Sequence, residues 1–344
     1  MALSTYGTGN LNPQNLYATK EFLDRIGPKL IIDMFAKMKK CPMNSTDTVL
    51  FPRSVVPDSD LTPALEGITK ASRQFVVENV QVTLEEFEES YAFSSKELET
   101  GEFGKFLMQE AKGNLNDLIM QTREEYAWSK FITGDNVLFN SDAVTSRGAV
   151  NGPLTLGRLD RALRLLEVNR SPYIHEAATG AMQQGTVPMP QAYVILAHSD
   201  LAPDFRGLPG YRESVEVGGR KEKLTHWHGS IRNFDVYLSP HFKPVLGAGA
   251  AIGSTGMRST GGVNVDVYPV LCISKEAIGR VSLEGTGKGG FGNVKINTLS
   301  PNDIDKTDLT GKRGYVGGRW YDAALILRQA GVVRIEVGSV ANPT

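Results

Sequence analysis

Cysteine is nearly absent: Cys41 and Cys272 are the only two in 344 residues. Two thiols so far apart in sequence build neither a disulfide framework nor a zinc spacing. They fit a chain made in a reducing cytoplasm, with both thiols inert. Charge imbalance is missing as well. Lys and Arg total 37 against 38 Asp and Glu, a formal net charge of −1. That balance speaks against a strongly basic protein coating nucleic acid, although it leaves room for a local patch. Long apolar runs are absent too, since "YVILA" and "AALIL" stop far below the ~18 residues of a membrane helix. The opening "MALSTYGTGNLNPQNLY" has neither the basic nor the apolar region of a signal peptide. The expectation is a soluble protein made in the cytoplasm, with no membrane partner.

Catalytic signatures are equally sparse. The histidines are His175, His198, His226, His228 and His241. His226 and His228 flank Trp227 and would share one face of a strand, which supplies only two metal ligands. "HEAAT" lacks the second histidine of a zincin helix, no G-x-S-x-G elbow occurs, and no Cys–His pairing follows from spacing. "GTGKGG" (residues 285–290) matches G-x-G-x-x-G by letter, with "IGRVSL" as a strand before it. The following "FGNVKINTLSP" does not read as the helix a pyrophosphate needs, and Lys288 precedes Gly rather than the Ser or Thr of a P-loop. "GGRKEK" with Arg206 and Arg212 makes a modest basic cluster, read as a solvated loop. These readings predict no enzyme, no cofactor and no metal.

What is present is an ordinary globular composition, 41% hydrophobic and 22% charged, with 36 glycines that favour turns and β structure. The length suggests two or three domains at ~100–200 residues each. Leu23, Ile26, Leu30, Ile31, Met34, Phe35 and Met38 recur at three- and four-residue steps, which predicts a helical stripe interrupted at Pro28. Lys37, Lys39 and Lys40 would close that helix where cations meet its negative end. "TDTVLFPRSVV" then reads as a strand, with Pro52 arguing for an edge or a bulge. Pro57, Asp58, Ser59, Asp60 and Pro63 resist any helix or ladder. Beyond Arg73 the pattern is β again, with Val76, Val80, Val82 and Leu84 at even positions. The apolar role passes to odd positions at Phe87, Tyr91 and Phe93, which a bulge or twist would explain. Two strands are thus joined by a stretch that cannot fill a core of its own.

Residues 84–110 carry Glu85, Glu86, Glu88, Glu89, Glu97, Glu99, Glu102 and Glu110 against only Lys96 and Lys105. This is a solvated face or a surface that meets positive charge on a neighbour. The longest helical pattern follows, with Ala111, Leu115, Leu118, Ile119, Thr122 and Tyr126 on one stripe and Gly134 as the stop. Leu156, Leu159, Leu163 and Leu166 mark another amphipathic helix. "QAYVILAHSDL", "NFDVYLSP" and "VDVYPVLCISKEAI" supply strands, and "AGAAIGSTGMRSTGGVN" a glycine-rich loop. "GYVGGRWYDAALILRQAGVVRIEVGS" reads as a terminal hairpin of two strands joined at Gln329–Gly331. A helical arm, a long hairpin, a strut helix and an α/β body suit a protein whose business is contact with copies of itself.

In that order the chain resembles the major capsid proteins of tailed bacteriophages, specifically the N-four-like group. The resemblance runs through "FLDRIGPKLIIDMF", "LTPALEGITKASRQFVVENVQVTLEEFEESYAFSSKELE", "EEYAWSKFITGDNVLF" and "VNGPLTLGRLDRALRLLEVNRSPYI". It continues through "AYVILAHSDLAPDFRGLPGY" and "VDVYPVLCISKEAIGRVSLEG", and closes with "DKTDLTGKRGYVGGRWYDAALILRQAGVVRIEV". It implies an α+β, HK-ninety-seven-type capsid fold, with an N-terminal arm at 1–45 and an extended E-loop hairpin at 46–93. A P-domain with a spine helix at about 103–134 would occupy 94–150, an axial α/β A-domain 151–290, and P-domain return strands 291–344.

The implied function is structural: hexamers and pentamers closing an icosahedral shell around packaged double-stranded DNA, which is contacted non-specifically. The implied place is the virion capsid, after synthesis in the host cytoplasm. Scaffolding and portal proteins, and a decoration protein, are the implied assembly partners. The resemblance brings no catalytic residues. Pro63, Leu65, Glu66, Ile68, Lys70 and Phe75 are the candidate intersubunit contacts of the E-loop. Lys70 is also a residue type that crosslinks in some shells of this fold, but no partner geometry for it can be read from the sequence. Another phage structural subunit, of a tail or a decoration, is the alternative, and a nucleotide-binding enzyme through "GTGKGG" the more distant one.

Overall fold

The computed structural model describes residues 30–63, 66–67, 69–96, 104–175, 191–213, 227–253, 256–284, 294–300, 310 and 312–341. Its framework is two sheets and one helix that touches both. The first sheet is organised around β13 (Arg313–Ile326), the longest strand. Along one edge of β13 runs β4 (Glu85–Ser94), antiparallel over ten registered pairs. Along the other edge lie β11 (Ile278–Leu283) and, further along the same line, β12 (Lys295–Leu299). Asp322 has Glu85 on one side and Ser282 on the other, which places β4 and β11 on opposite edges. Outside β11 sits β1 (Lys37–Cys41), in parallel.

The second sheet has seven strands, in the order β5 (Val137–Phe139), β14 (Val332–Val337), β10 (Tyr268–Ile273), β6 (Tyr193–His198), β9 (Phe234–Ser239), β8 (Trp227–Ile231) and β7 (Arg212–Glu213). Its strands β6 and β10 read as near-continuous apolar runs because both faces are covered. Tyr193, Ile195 and Ala197 face one core with Leu159, Ala162 and Leu166 of α2 (Leu156–Val168). Val194 and Leu196 face the other, with Leu271 and Ile273.

α1 (Gly104–Phe131) joins these layers. Its 28 residues span about 42 Å at ~1.5 Å per residue. Ala111, Leu115 and Ile119 pack on Val316 and Trp320 of the first sheet, whereas Ala127, Trp128 and Phe131 enter the core beneath the second. The approach to β13 is close at Gly318, where a Cβ would lie 2.8 Å from Ile119 Cδ1.

Three expectations from the sequence are corrected here. Residues 37–40 do not end a helix; only Ile32–Met34 make a 3-10 turn, and Lys37–Cys41 form β1. The helical spacing ahead of them is coincident with a strand whose first four residues are all exposed, so no alternation marks it. The part of the expected arm helix before residue 30 lies outside the described residues. The closing strands are also not a hairpin. The 3-10 turn at Gln329–Gly331 carries the chain from β13 in one sheet to β14 in the other. The switch of apolar parity near Leu84 is a strand break rather than a bulge, because β3 (Val76–Thr83) ends there and β4 begins.

Candidate intersubunit surface

β2 (Thr48–Val55) and β3 pair antiparallel from Thr48↔Thr83 to Val55↔Val76 and belong to neither large sheet. Pro52 is tolerated there because a two-stranded ribbon is all edge. Only the base of the ribbon has a core. Val49, Phe51 and Val82 pack against Cys41, Val281, Ala323 and Leu327, and Lys39 donates to the Leu50 carbonyl at 2.7 Å while lying over the Phe51 ring. Farther out the apolar side chains meet water: Val56 is 85% exposed, Leu61 88% and Phe75 76%.

The stretch 56–75 that joins the two strands is closed by polar contacts instead. Lys70 Nζ donates to Asp60 Oδ2 at 3.0 Å and to the Thr62 carbonyl, and the Thr62 amide donates to Asp60 Oδ1 at 2.9 Å. Hydrogen bonds from Thr62, side chain and amide, and then from Lys70 hold the Asp60 carboxyl below the usual range. Arg73 donates to the Asp58 carbonyl, and Arg53 pairs with Glu78 across the strands. Gly67 turns the chain at a φ of 77°, in the left-handed region that favours glycine. Of the candidate contact residues, Pro63, Glu66, Lys70 and Phe75 are exposed on this projection. Leu65 and Ile68 lie outside the described residues. Asp58, Asp60 and Arg73 were read as breakers and a boundary; their role in closing the stretch was signalled only by opposite charges flanking Pro63.

The body behind the hairpin is held by a buried ionic knot. Arg280 of β11 donates to Asp322 of β13 at 2.5 Å and pairs with Asp33. Arg123 of α1 reaches the same Asp322 at 3.2 Å. Glu124, next along α1, accepts the Ile31 and Ile32 amides through Oε1 at 2.9 and 3.0 Å. Burial opposes the Arg280 charge, but Asp322 and Asp33 outweigh it and raise its pKa. Burial also pushes the Glu124 carboxyl up to about 7, against the pull of the two amides. Removing one member of such a group leaves the others charged and buried, which is far costlier than breaking a surface pair. None of these five charged positions stands out in the sequence, since helical and strand periodicity register them only as polar interruptions.

The described histidines are engaged locally. His175 pairs with Asp235 at 2.8 Å, and Trp227 Nε1 donates to the other Asp235 oxygen at 3.2 Å. His228 sits against the Tyr211 hydroxyl, and burial lowers the pKa of both His228 and His198. Among the described residues no three His, Cys, Asp or Glu side chains gather to hold a metal. No described helix is long and apolar enough to cross a membrane. His226, the "GGRKEK" cluster and "GTGKGG" lie outside the described residues. Both cysteines are free and buried.

No family model matches the chain, and no curated protein is significantly similar to it in sequence. Solved structures are similar over nearly the whole length. The capsid of Ralstonia phage GP4 matches with a TM-score of 0.67 at 13% identity, covering 99% of this chain and 100% of that one. The capsid of cyanophage Pam1 matches at 0.62 and 11% identity, covering 96% and 98%. The head structure of Helicobacter pylori bacteriophage KHP40 matches at 0.57 and 12% identity, also covering 96% and 98%. The chain therefore has the mixed α+β, HK-ninety-seven-type fold of phage capsid proteins.

Proposed function

We infer that this chain is a phage major capsid protein of the N-four-like group, whose copies assemble as hexamers and pentamers into an icosahedral shell around double-stranded DNA. The observation that carries the reading is the hairpin. A ribbon with a core only at its base, bearing Val56, Leu61 and Phe75 almost wholly in water, gains its burial from another copy. Many such modest contacts sum over a closed lattice. The near-zero net charge lets many copies pack without strong mutual repulsion, and counterions can neutralise the packaged DNA. The role is structural rather than catalytic.

In this reading the arm is 1–45, the E-loop 46–93, the P-domain 94–150 with return strands in 291–344, and the A-domain 151–290. Each large sheet is completed by strands from elsewhere in the chain. Pro63, Leu65, Glu66, Ile68, Lys70 and Phe75 contact the neighbouring subunit. Scaffolding and portal proteins act during assembly in the host cytoplasm, and a decoration protein is a further partner of the finished virion capsid. Electron microscopy of the expressed protein, alone and with a scaffolding partner, tests this. Closed shells or capsomers are expected. Tubes, rings or trimers would indicate a tail or decoration subunit, and a strict monomer under every condition would overturn the reading.

A further inference from the structure

Two outer strands of the first sheet, β1 and β4, carry opposite charge. β1 reads Lys-Met-Lys-Lys-Cys, with three cations and no acid. β4, at the far side, carries Glu85, Glu86, Glu88 and Glu89 with no cation. Each pairs on one edge only, β1 with β11 and β4 with β13. Charged outer strands commonly guard a sheet against indiscriminate pairing, and charge of a single sign would serve that purpose. Opposite signs do more. They repel β1 from β1 and β4 from β4, while favouring β1 of one copy beside β4 of the next. Such a contact is head-to-tail, the kind that generates rings when the rotation closes.

Local ion pairs leave part of this charge unspent. Glu85 is matched by Lys130 at 3.2 Å and Glu86 by Arg319 at 3.3 Å, whereas Glu88 and Glu89 have no ion pair among the described residues. On the opposite side Lys37 meets Glu276 at 3.0 Å and Lys39 is held by the Leu50 carbonyl. Lys40 and Arg328 have no ion pair among the described residues. Beside β1 opens a cleft of about 360 Å³ between this strand and the hairpin base, lined by Lys37, Lys39, Phe51, Arg53, Glu276 and Arg328 among others. Four cations and one acid stand around an apolar wall. An acidic strand edge has the complementary charge.

We propose that the Glu85–Glu89 edge of one copy docks on the Lys37–Lys40 edge and adjoining cleft of a second copy, with Glu88 and Glu89 meeting the cations there. The proposal rests on the shell-forming reading and specifies its subunit contact. The test uses whole protein. Isotopically light and heavy wild-type chains are co-assembled and treated with a zero-length carbodiimide. Peptides bearing Lys37, Lys39 or Lys40 are expected linked to peptides bearing Glu88 or Glu89 in mixed-isotope form. In parallel, the reversals Lys40→Glu/Arg328→Glu and Glu88→Lys/Glu89→Lys should each cut particle yield at least about tenfold with melting temperature unchanged. Joining both reversals in one chain should restore it to within about threefold. Wild-type shells without the mixed links, or single reversals that assemble normally, would overturn the docking while leaving the shell-forming reading intact. Folded single reversals that fail without mutual rescue would overturn it equally. A wild-type protein that never assembles would remove the reading and this contact with it.

Discussion

The seven-stranded sheet and the β2–β3 hairpin are both built from apolar-rich strands, yet they spend those side chains in opposite ways. In the sheet, β9 and β10 have every residue buried, so the subunit satisfies itself. In the hairpin, Val76 and Val77 are each 48% exposed and the outer strands cover nothing. Strand propensity alone does not say where a strand will find its cover. The alternation in β3 and the continuous runs in β9 and β10 differ because one ribbon has a single packed side at its base and the others have two.

The difference breaks cleanly under deletion. Removing residues 59–72 should abolish stable shells while leaving the body folded, checked by particle yield against circular dichroism and melting of the free subunit. Shells that form normally without those residues would show that the hairpin has no assembly role. Within the body the largest single cost is expected at the ionic knot. Arg280→Met strands Asp33 and Asp322 without their main cation and should destabilise by about 3–5 kcal/mol, measured by chemical denaturation. Lys70→Met at the hairpin should change subunit stability by no more than about 0.5 kcal/mol. Comparable losses at the two sites would erase the distinction.

Glu124 sharpens the same contrast through pH. Its folded pKa of about 7 lies above the ordinary value of 4.5, so the folded state binds the proton more tightly than the unfolded one. The resulting stabilisation is fully present below pH 4.5 and fades as pH rises through 7, by about 3 kcal/mol in total at ~1.4 kcal/mol per unit. Glu124→Gln should flatten that slope between pH 5 and 8, and an unchanged slope would assign the titration elsewhere. Smaller than the loss at Arg280, Gly318→Ala places a methyl against Ile119 and should cost about 1–3 kcal/mol, read as a lower melting temperature. A neutral result would mean that α1 can lift from β13 without loss.

Much of this organisation could be read before any coordinates. The spacing of Leu159 and Leu166 marked α2, and the stripe through Leu115 and Ile119 marked α1, because a one-sided helix writes its buried face into a 3.6-residue period. Compact runs such as "YVILA" marked the doubly covered strands. β1 escaped because its partner β11 lies some 240 positions away and its exposed residues carry no period. The link at Gln329–Gly331 was misread because turn residues report that a chain changes direction, not which sheet receives it. The hairpin's reach was readable from Pro57, Asp58 and Pro63. Its closure by Asp60 and Lys70 was not, since that pairing depends on how the intervening residues turn.

One consequence of α1 concerns how a single sequence could serve unequal surroundings. Leu115 and Ile119 anchor it to one sheet and Trp128 and Phe131 to the core beneath the other, so the sheets cannot tilt against each other without parting buried side chains. In the shell-forming reading proposed above, adjustment to neighbours met at different angles falls to the connection with the least to lose. That connection is the outer end of the hairpin, beyond the base where Val49, Phe51 and Val82 pack on the body. The strut fixes the two sheets to each other, and the outer ribbon is the part left free to bend.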